Sequence, residues 1–160
     1  MSTEAEKRGT GEQQFVVFKL GEEEYGVDIL QVQTIERMLD ITRVPNAPEF
    51  VEGVTNLRGM VVPIIDLRKR LGLPEIEPTE ETRIITIKMN EVLVGMIVDS
   101  ASDVVKVPES AIEPPPSIIG GVESTYLEGV AKLDKRLLVL LKLSEVLKKE
   151  EVNKLKEINV

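Results

Sequence analysis

Carboxylate, lysine, serine, threonine and tyrosine side chains are the groups with which this chain of 160 residues could do catalytic chemistry, because it contains no histidine and no cysteine. The two absences exclude disulfides, thiolate nucleophiles and histidine-based acid–base catalysis. Asp66 and Asp99 each follow an apolar stretch, and a pair of carboxylates can transfer protons or hold Mg²⁺. Because an aspartate after a strand also caps helices and forms turns, we favour that structural role for both residues.

The basic side chains could bind an acidic partner. Arg58 lies between Leu57 and Gly59, just before an apolar run, so its planar guanidinium is expected to project at the end of a sheet, where it could bind a carboxylate. The same spacing is equally compatible with an internal salt bridge. Residues 68–70, Arg-Lys-Arg, spread around a short helix, and we interpret them as a solvated face rather than a phosphate site.

Motifs of catalysis and cofactor binding are missing from the sequence. It contains no phosphate-binding loop, no G-x-G-x-x-G after a strand, no G-x-S-x-G and no calcium-binding loop. The net charge of −8 repels nucleic acid and anionic lipid headgroups alike. No apolar run approaches the roughly 18 residues of a membrane span. We therefore expect a cytoplasmic protein that is not an enzyme, with no cofactor, no metal, no nucleic-acid partner and no membrane insertion.

The elements that would position these side chains are mostly short strands. Aromatic residues make up only 3% of the chain, so its core must consist of valine, isoleucine, leucine and methionine, which favours β-structure. Apolar runs between turn residues predict strands at residues 14–20, 24–28, 60–65, 83–89, 92–98 and 137–143. The run at 60–65 does not alternate, which is typical of a strand covered on both faces.

Helices are predicted where an aspartate can cap an apolar turn. Asp28 precedes a short helical turn at residues 29–32, and Asp66 precedes a helix at residues 67–71 that Gly72 ends. Pro48 is expected to open a single helical turn. A terminal helix is predicted at residues 144–160, and residues 1–12, polar and without an apolar period, are expected to form a flexible tail.

The chain repeats itself. Without a gap, residues 50–71 align with residues 126–147, so that Glu-Gly-Val at 52–54 matches Glu-Gly-Val at 128–130. Two such repeats predict a pair of related small β-barrels. The pair Arg58-Gly59 has no counterpart, because Asp-Lys stands at the equivalent positions, and function is expected at such private features. Val32, Ile35 and Met38 fit either a core or an exposed docking strip.

Residues 54–68, VTNLRGMVVPIIDLR, resemble the signature stretch of the CheW family. Similarity extends to Phe-Lys-Leu at 18–20, Tyr-Gly-Val at 25–27, Ile-Leu-Gln-Val-Gln at 29–33 and Arg-Val-Pro at 43–45, and it covers roughly residues 13–150. The resemblance implies a mainly β fold of two pseudo-symmetric, five-stranded SH3-like barrels, interleaved in the chain, with short helices and a C-terminal helix.

The resemblance also implies a function. Members of the family are non-catalytic adaptors that couple the cytoplasmic tip of chemoreceptors to the regulatory domain of the histidine kinase CheA, at membrane-associated receptor arrays. Val32, Thr34, Gly53, Arg58 and Gly59 match the receptor-binding groove, whereas the kinase-binding residues cannot be carried over one by one. Many members have Glu where this chain has Thr34, so a charged receptor contact is either absent here or moved to Glu36.

Two alternatives remain at this stage. A relative with this domain could serve another signalling pathway, such as surface motility or development, with a different receptor and kinase. An enzyme that uses the carboxylates of Asp66 or Asp99 is the second alternative.

Overall fold

The structure, a computed structural model, describes residues 11–89 and 91–158, the last three of these by their backbone alone. The predicted tail at residues 1–12 therefore lies outside the described residues except for its last two, and Glu12 already belongs to the first strand.

Short strands dominate the described part of the chain. They are β1 (Glu12–Leu20), β2 (Glu23–Asp28), β3 (Val32–Arg37), β4 (Val51–Leu57), β5 (Met60–Asp66), β6 (Arg83–Met89), β7 (Val92–Val98), β8 (Ser100–Pro108), β9 (Ile112–Glu113), β10 (Ile118–Ile119), β11 (Val122–Glu123), β12 (Leu127–Leu133) and β13 (Arg136–Leu141). The α-helices are α1 (Leu67–Leu71), α2 (Leu143–Val146) and α3 (Lys149–Ile158), and 3₁₀ turns lie at Ile29–Gln31, Glu109–Ala111 and Ser124–Tyr126.

Two larger sheets take their strands from both halves of the chain. One has the order β8-β1-β2-β13-β12-β9 and the other β3-β6-β7-β5-β4, while β10 and β11 form a small hairpin. In each sheet a hairpin of one half joins a hairpin of the other through a parallel pair, β2 with β13 and β5 with β7. Strands β3 and β8 cross between the halves to pair with β6 and β1. The mainly β, pseudo-symmetric fold of two subdomains is thus confirmed.

The two halves match in detail. The amide of Asp66 donates to the carbonyl of Phe50 at 2.9 Å, and the amide of Lys142 donates to that of Tyr126 at 2.8 Å, which is the same bond 76 positions along. The two-residue strand β9 also has a counterpart, an isolated bridge from Thr42 to Val54. This explains why one sheet has six strands where five were expected.

Apolar side chains in the described part of the chain form three clusters. A small cluster around Val62, Ile64 and Ile84 belongs to the five-stranded sheet, and another around Val17, Leu138 and Leu140 belongs to the six-stranded one. The largest cluster takes residues from both sheets and from α1, α2 and α3, so most of the buried apolar surface holds the two subdomains and the helices together.

The predicted helices form with some differences. Asp28 caps the 3₁₀ turn through the amide of Leu30, and Gly72 ends α1 in the left-handed conformation. The terminal helix was predicted as one continuous element, but it breaks after α2 and resumes as α3. Pro48 opens a hydrogen-bonded turn instead of a helical one, because the chain enters β4 at Val51.

Candidate protein-docking site

The candidate site begins at the tip of the β4–β5 hairpin. Leu57 pairs with Met60, so Arg58 and Gly59 form a two-residue loop with φ of 51° and 85°. A loop with positive φ at both positions suits the twist of a hairpin but is unfavourable for a residue with a Cβ such as Arg58. The amide of Gly59 donates to Asn56 Oδ1 at 3.0 Å and supports the loop. The turn thereby holds Arg58 outward, with its side chain 67% exposed.

Arg58 forms an ion pair with Glu36 on the edge strand β3. Its Nη1 lies 3.1 Å from Glu36 Oε2. Strands β3 and β4 are the two edges of the five-stranded sheet, so the pair joins opposite edges and the sheet must curl. The internal salt bridge exists, yet it leaves most of the guanidinium in solvent. Glu36 Oε2 is buried and accepts no hydrogen bond from any described residue. Its contact with Arg58 is an ion pair without the alignment that a hydrogen bond requires.

Strand β3 carries two further predicted residues. Val32 packs against the large apolar cluster. The hydroxyls of Thr34 and Thr86 lie 2.6 Å apart, and the Thr34 amide donates to Thr86 Oγ1 at 2.9 Å. The amide and the hydroxyl of Thr34 are therefore hydrogen-bonded within the sheet. Glu36, two positions on and on the same face of β3, supplies the carboxylate that contacts Arg58.

Gly53 lies inside the barrel rather than on its surface. Its φ is 152°, and a Cβ at this position would lie 2.1 Å from the carbonyl oxygen of Thr42. Its repeat counterpart, Gly129, also approaches a neighbouring backbone, since a Cβ there would lie 2.8 Å from the carbonyl oxygen of Glu113. Both glycines sit at a register shift of their hairpin. This glycine thus shapes the backbone that carries the hairpin tip.

Exposed apolar side chains flank the tip and the edge strand. Met60 and Val61 begin β5 with 55% and 46% of their surface exposed, and Ile35 on β3 is 45% exposed. The prediction that the whole run at residues 60–65 is covered on both faces is therefore wrong for its first two residues. Both residues lie next to the hairpin turn, and the unbroken apolar pattern does not reveal their exposure.

The carboxylates of Asp66 and Asp99 have structural partners. Asp66 Oδ1 accepts from the amide of Arg68 at 3.0 Å and caps α1. Burial raises the pKa of the Asp66 carboxyl, although backbone amides at the helix start oppose the shift. Arg68 donates to both oxygens of Asp99 at 2.9 and 2.6 Å. Burial favours a raised pKa for Asp99, but the bonds from Arg68 and the amide of Gly21 outweigh it, so the pKa is lowered.

The basic cluster at residues 68–70 is not the solvated face that was predicted. Arg68 pairs with Asp99, and Arg70 pairs with Glu151 at 2.8 Å. Lys69 Nζ lies 3.0 Å from Glu52 and 3.5 Å from Glu75. Helix α1 packs between the sheets, so all three side chains meet acids that are distant in sequence.

Glu52, Asp66 and Glu75 bring carboxylate oxygens within 4.8 Å of one another. Because the Lys69 ammonium contacts two of these residues, the group is held by an internal cation. In the described part of the chain, no helix is long and apolar enough to cross a membrane.

The fold and the site define a scaffold module, a pair of curled sheets with an exposed arginine and apolar side chains at a hairpin tip. A family model described as a CheW-like domain matches residues 14–151. The chain belongs to the CheW family of chemotaxis coupling adaptors.

Relatives match over most of their length. The chemotaxis protein CheW of Bacillus subtilis is 45% identical over 141 residues, 88% of this chain and 90% of that protein. The protein of the same name from Klebsiella aerogenes is 41% identical over 140 residues, 88% of this chain and 84% of that protein. The crystal structure of scaffolding protein TtCheW from Thermoanaerobacter tengcongensis superposes with a TM-score of 0.78 at 37% identity, covering 87% and 90% of the two chains.

Proposed function

We propose that this adaptor works in the cytoplasm, at membrane-associated receptor arrays, and binds two particular partners without catalysing a reaction. One partner is the cytoplasmic signalling tip of a chemoreceptor, and the other is the regulatory domain of the histidine kinase CheA. Holding both at once lets the conformation of the receptor bias the activity of the kinase. Membership of the CheW family supports the choice of partners.

The receptor surface in this proposal comprises Val32, Thr34, Gly53, Arg58 and Gly59, together with Glu36. Arg58 supports it most directly, since its strained turn holds a side chain that is two-thirds exposed, and the strand that follows the turn begins with the exposed apolar residues Met60 and Val61. An arginine next to apolar side chains is a frequent centre of binding energy in protein interfaces. Gly53 and Val32 contribute by shaping the backbone and the packing beneath that surface.

A non-catalytic role agrees with the state of the acidic residues. Asp66 caps a helix and Asp99 is held by Arg68, so both carboxylates accept hydrogen bonds from within the protein. Substitution of both residues by asparagine should leave signalling intact if the protein folds, because asparagine also caps helices. Loss of signalling in a folded double variant would favour the carboxylate-based enzyme instead.

The test is a titration of the full chain with each partner. Arg58→Ala is expected to lower the affinity for the receptor fragment about 10- to 100-fold and to leave the affinity for the CheA regulatory domain unchanged. Lys135→Ala is a matched control, since Lys135 is an exposed cation at the equivalent hairpin tip of the second repeat. Asp66→Asn is a second control that keeps the cap.

Two outcomes would contradict the proposal. Equal receptor affinity of Arg58→Ala and wild type would remove Arg58 from the docking surface. Binding of wild type to neither partner would overturn the choice of partners and favour a different signalling pathway.

A further inference from the structure

Arg70 lies where the two repeats meet. Its guanidinium carbon is 4.8 Å from the centre of the Phe50 ring and 5.7 Å from that of Tyr126. These aromatic residues occupy equivalent positions, immediately before β4 and before β12. One cation therefore contacts the matching residue of each half, an arrangement in which a planar guanidinium is attracted to both ring faces.

The hydrogen bonds of Arg70 reach the same junction and the terminal helix. Its Nε donates to the carbonyl oxygen of Val146 at 2.6 Å, and residue 146 is the repeat counterpart of position 70. Its Nη2 donates to Glu151 Oε1 at 2.8 Å. The same oxygen accepts from the amide of Lys148 at 2.9 Å, which caps the start of α3. Arg70 thus binds both the repeat junction and the cap of α3.

Helix α3 is held from two sides. Val152 and Leu155 are buried in the large apolar cluster between the sheets, and Glu151 ties the first turn to Arg70. The side chain of Arg70 is only 16% exposed, so water cannot readily replace the bonds that a substitution removes.

We propose that Arg70 is a positioning residue that makes the docking of α3 and the alignment of the two halves a single cooperative unit. The two aromatic residues that Arg70 contacts also accept the two equivalent backbone hydrogen bonds of the repeats. The amide of Asp66 donates to the carbonyl of Phe50, and the amide of Lys142 donates to the carbonyl of Tyr126. Loss of the guanidinium should therefore loosen both halves at once. As a consequence, which rests on the proposed function, Arg70 keeps the receptor and kinase surfaces in one relative orientation.

Hydrogen exchange of the full chain under native conditions tests the structural part. Arg70→Met keeps the length and packing of the side chain but loses its charge and donors. It is expected to speed exchange about ten-fold or more in α3 and also at the amides of Asp66 and Lys142. Leu155→Ala is the matched control, since it removes the apolar anchor of α3 but not Arg70, and it should speed exchange in α3 alone.

Two further comparisons sharpen the result. Arg70→Lys keeps a positive charge beside Glu151 but loses the planar guanidinium. The amides of α3 should therefore exchange as slowly as in wild type, while the amides of Asp66 and Lys142 exchange faster. Wild type in urea, at a concentration that matches the stability of Arg70→Met, shows what general destabilisation does. Faster exchange confined to α3 in Arg70→Met, or the same pattern as wild type in urea, would overturn the proposal. Full protection in Arg70→Lys would overturn the part assigned to the planar guanidinium.

Partner binding tests the consequence separately. Arg70→Met should keep its affinity for each partner alone, whereas the affinity for the second partner in the presence of the first should fall about ten-fold. An unchanged ternary affinity would contradict the orientation role. If wild type binds neither partner, the proposed function fails, and the exchange experiment still decides the role of Arg70 in the fold.

Discussion

Arg68 holds Asp99 by two parallel hydrogen bonds, Nε to Oδ1 at 2.9 Å and Nη2 to Oδ2 at 2.6 Å, across 31 positions of sequence. Asp99 stands between β7 and β8, where the chain leaves one sheet for the other. Its Oδ2 also accepts from the amide of Gly21 at 2.7 Å, in the turn of the first hairpin. The pair therefore connects α1 to both subdomains.

Removal of either member of this pair should destabilise the protein. Asp99→Asn and Arg68→Met are each expected to lower the free energy of unfolding by about 2 kcal/mol, since charge-assisted hydrogen bonds at a largely buried site are lost. Urea denaturation measures the effect. Lys132→Ala is the control, because its ion pair with Glu113 is exposed on both sides and should contribute less than about 1 kcal/mol. Similar losses in all three variants would show that burial does not distinguish the two ion pairs.

The same pair predicts how stability depends on pH. Because the pKa of Asp99 is lowered in the folded protein, its contribution is present above the ordinary carboxyl pKa of about 4. It is lost as the pH falls through the lower folded value. Urea denaturation measured at a series of pH values from about 6 down to about 2 should show that wild type loses more stability than Asp99→Asn. Parallel curves for the two proteins would contradict the assignment.

The raised pKa of Asp66 has the opposite sign. A carboxyl whose folded pKa lies above its unfolded value contributes stability at low pH that is lost as the pH rises through the folded value. Asp66→Asn keeps the cap of α1 and removes this titration. Its stability relative to wild type should therefore increase from acid toward neutral pH, and urea denaturation at the two ends of the range checks the difference. A constant difference would argue against a raised pKa.

Local signals predicted six of the longer strands and helix α1 but missed β3, β4, β8 and β12, and the repeat predicted two related halves. The Asp66 cap and the Gly72 stop lie next to the helix that they bound, so adjacent residues suffice to predict α1. The pair of related halves could be predicted because residues 50–71 recur without a gap at residues 126–147, whereas their interleaving was implied by the family resemblance alone. Contacts between distant residues could not. The partners of Arg68 and Arg70 lie 31 and 76 positions away, and only the packing of α1 between the sheets brings them together.

The candidate site shows the same division. Arg58 and Gly59 were recognisable as candidates because the second repeat has Asp-Lys at the equivalent positions, although the hairpin turn that they form was not predicted. That Arg58 would contact Glu36 depends on the curl that brings β3 and β4 together, for which the sequence carries no local signal. Exposure of Met60 and Val61 depends on their place beside the hairpin turn in the folded sheet, while their residue types alone indicate burial.

Alanine substitutions should distinguish Gly53, which has no room for a side chain, from Gly59, which has open space around it. Gly53→Ala is expected to destabilise the protein by more than about 3 kcal/mol, because the new Cβ would meet the rigid backbone of Thr42. Gly59→Ala should cost only about 1 to 2 kcal/mol, since its φ of 85° is unfavourable for alanine but the space around it is open. Thermal or urea denaturation gives both values. Equal tolerance at the two positions would mean that Gly53 has more room than its contacts indicate.

The side chains of Thr34 on β3 and Thr86 on β6 form a hydroxyl pair, and we expect this pair to anchor the edge strand that carries Glu36. Thr86 Oγ1 accepts from the amide of Thr34, bonds to its hydroxyl and donates to its carbonyl oxygen at 3.3 Å, so Thr86→Val leaves three groups of β3 without this partner and should cost about 2 kcal/mol. Thr34→Val removes one hydroxyl and keeps the bond from its amide to Thr86, so its cost should be smaller by about 1 kcal/mol. Urea denaturation of both variants measures the difference, with Thr42→Val as a comparison on the neighbouring segment. A larger loss in Thr34→Val than in Thr86→Val would show that the Thr34 hydroxyl, rather than that of Thr86, holds the edge strand in place.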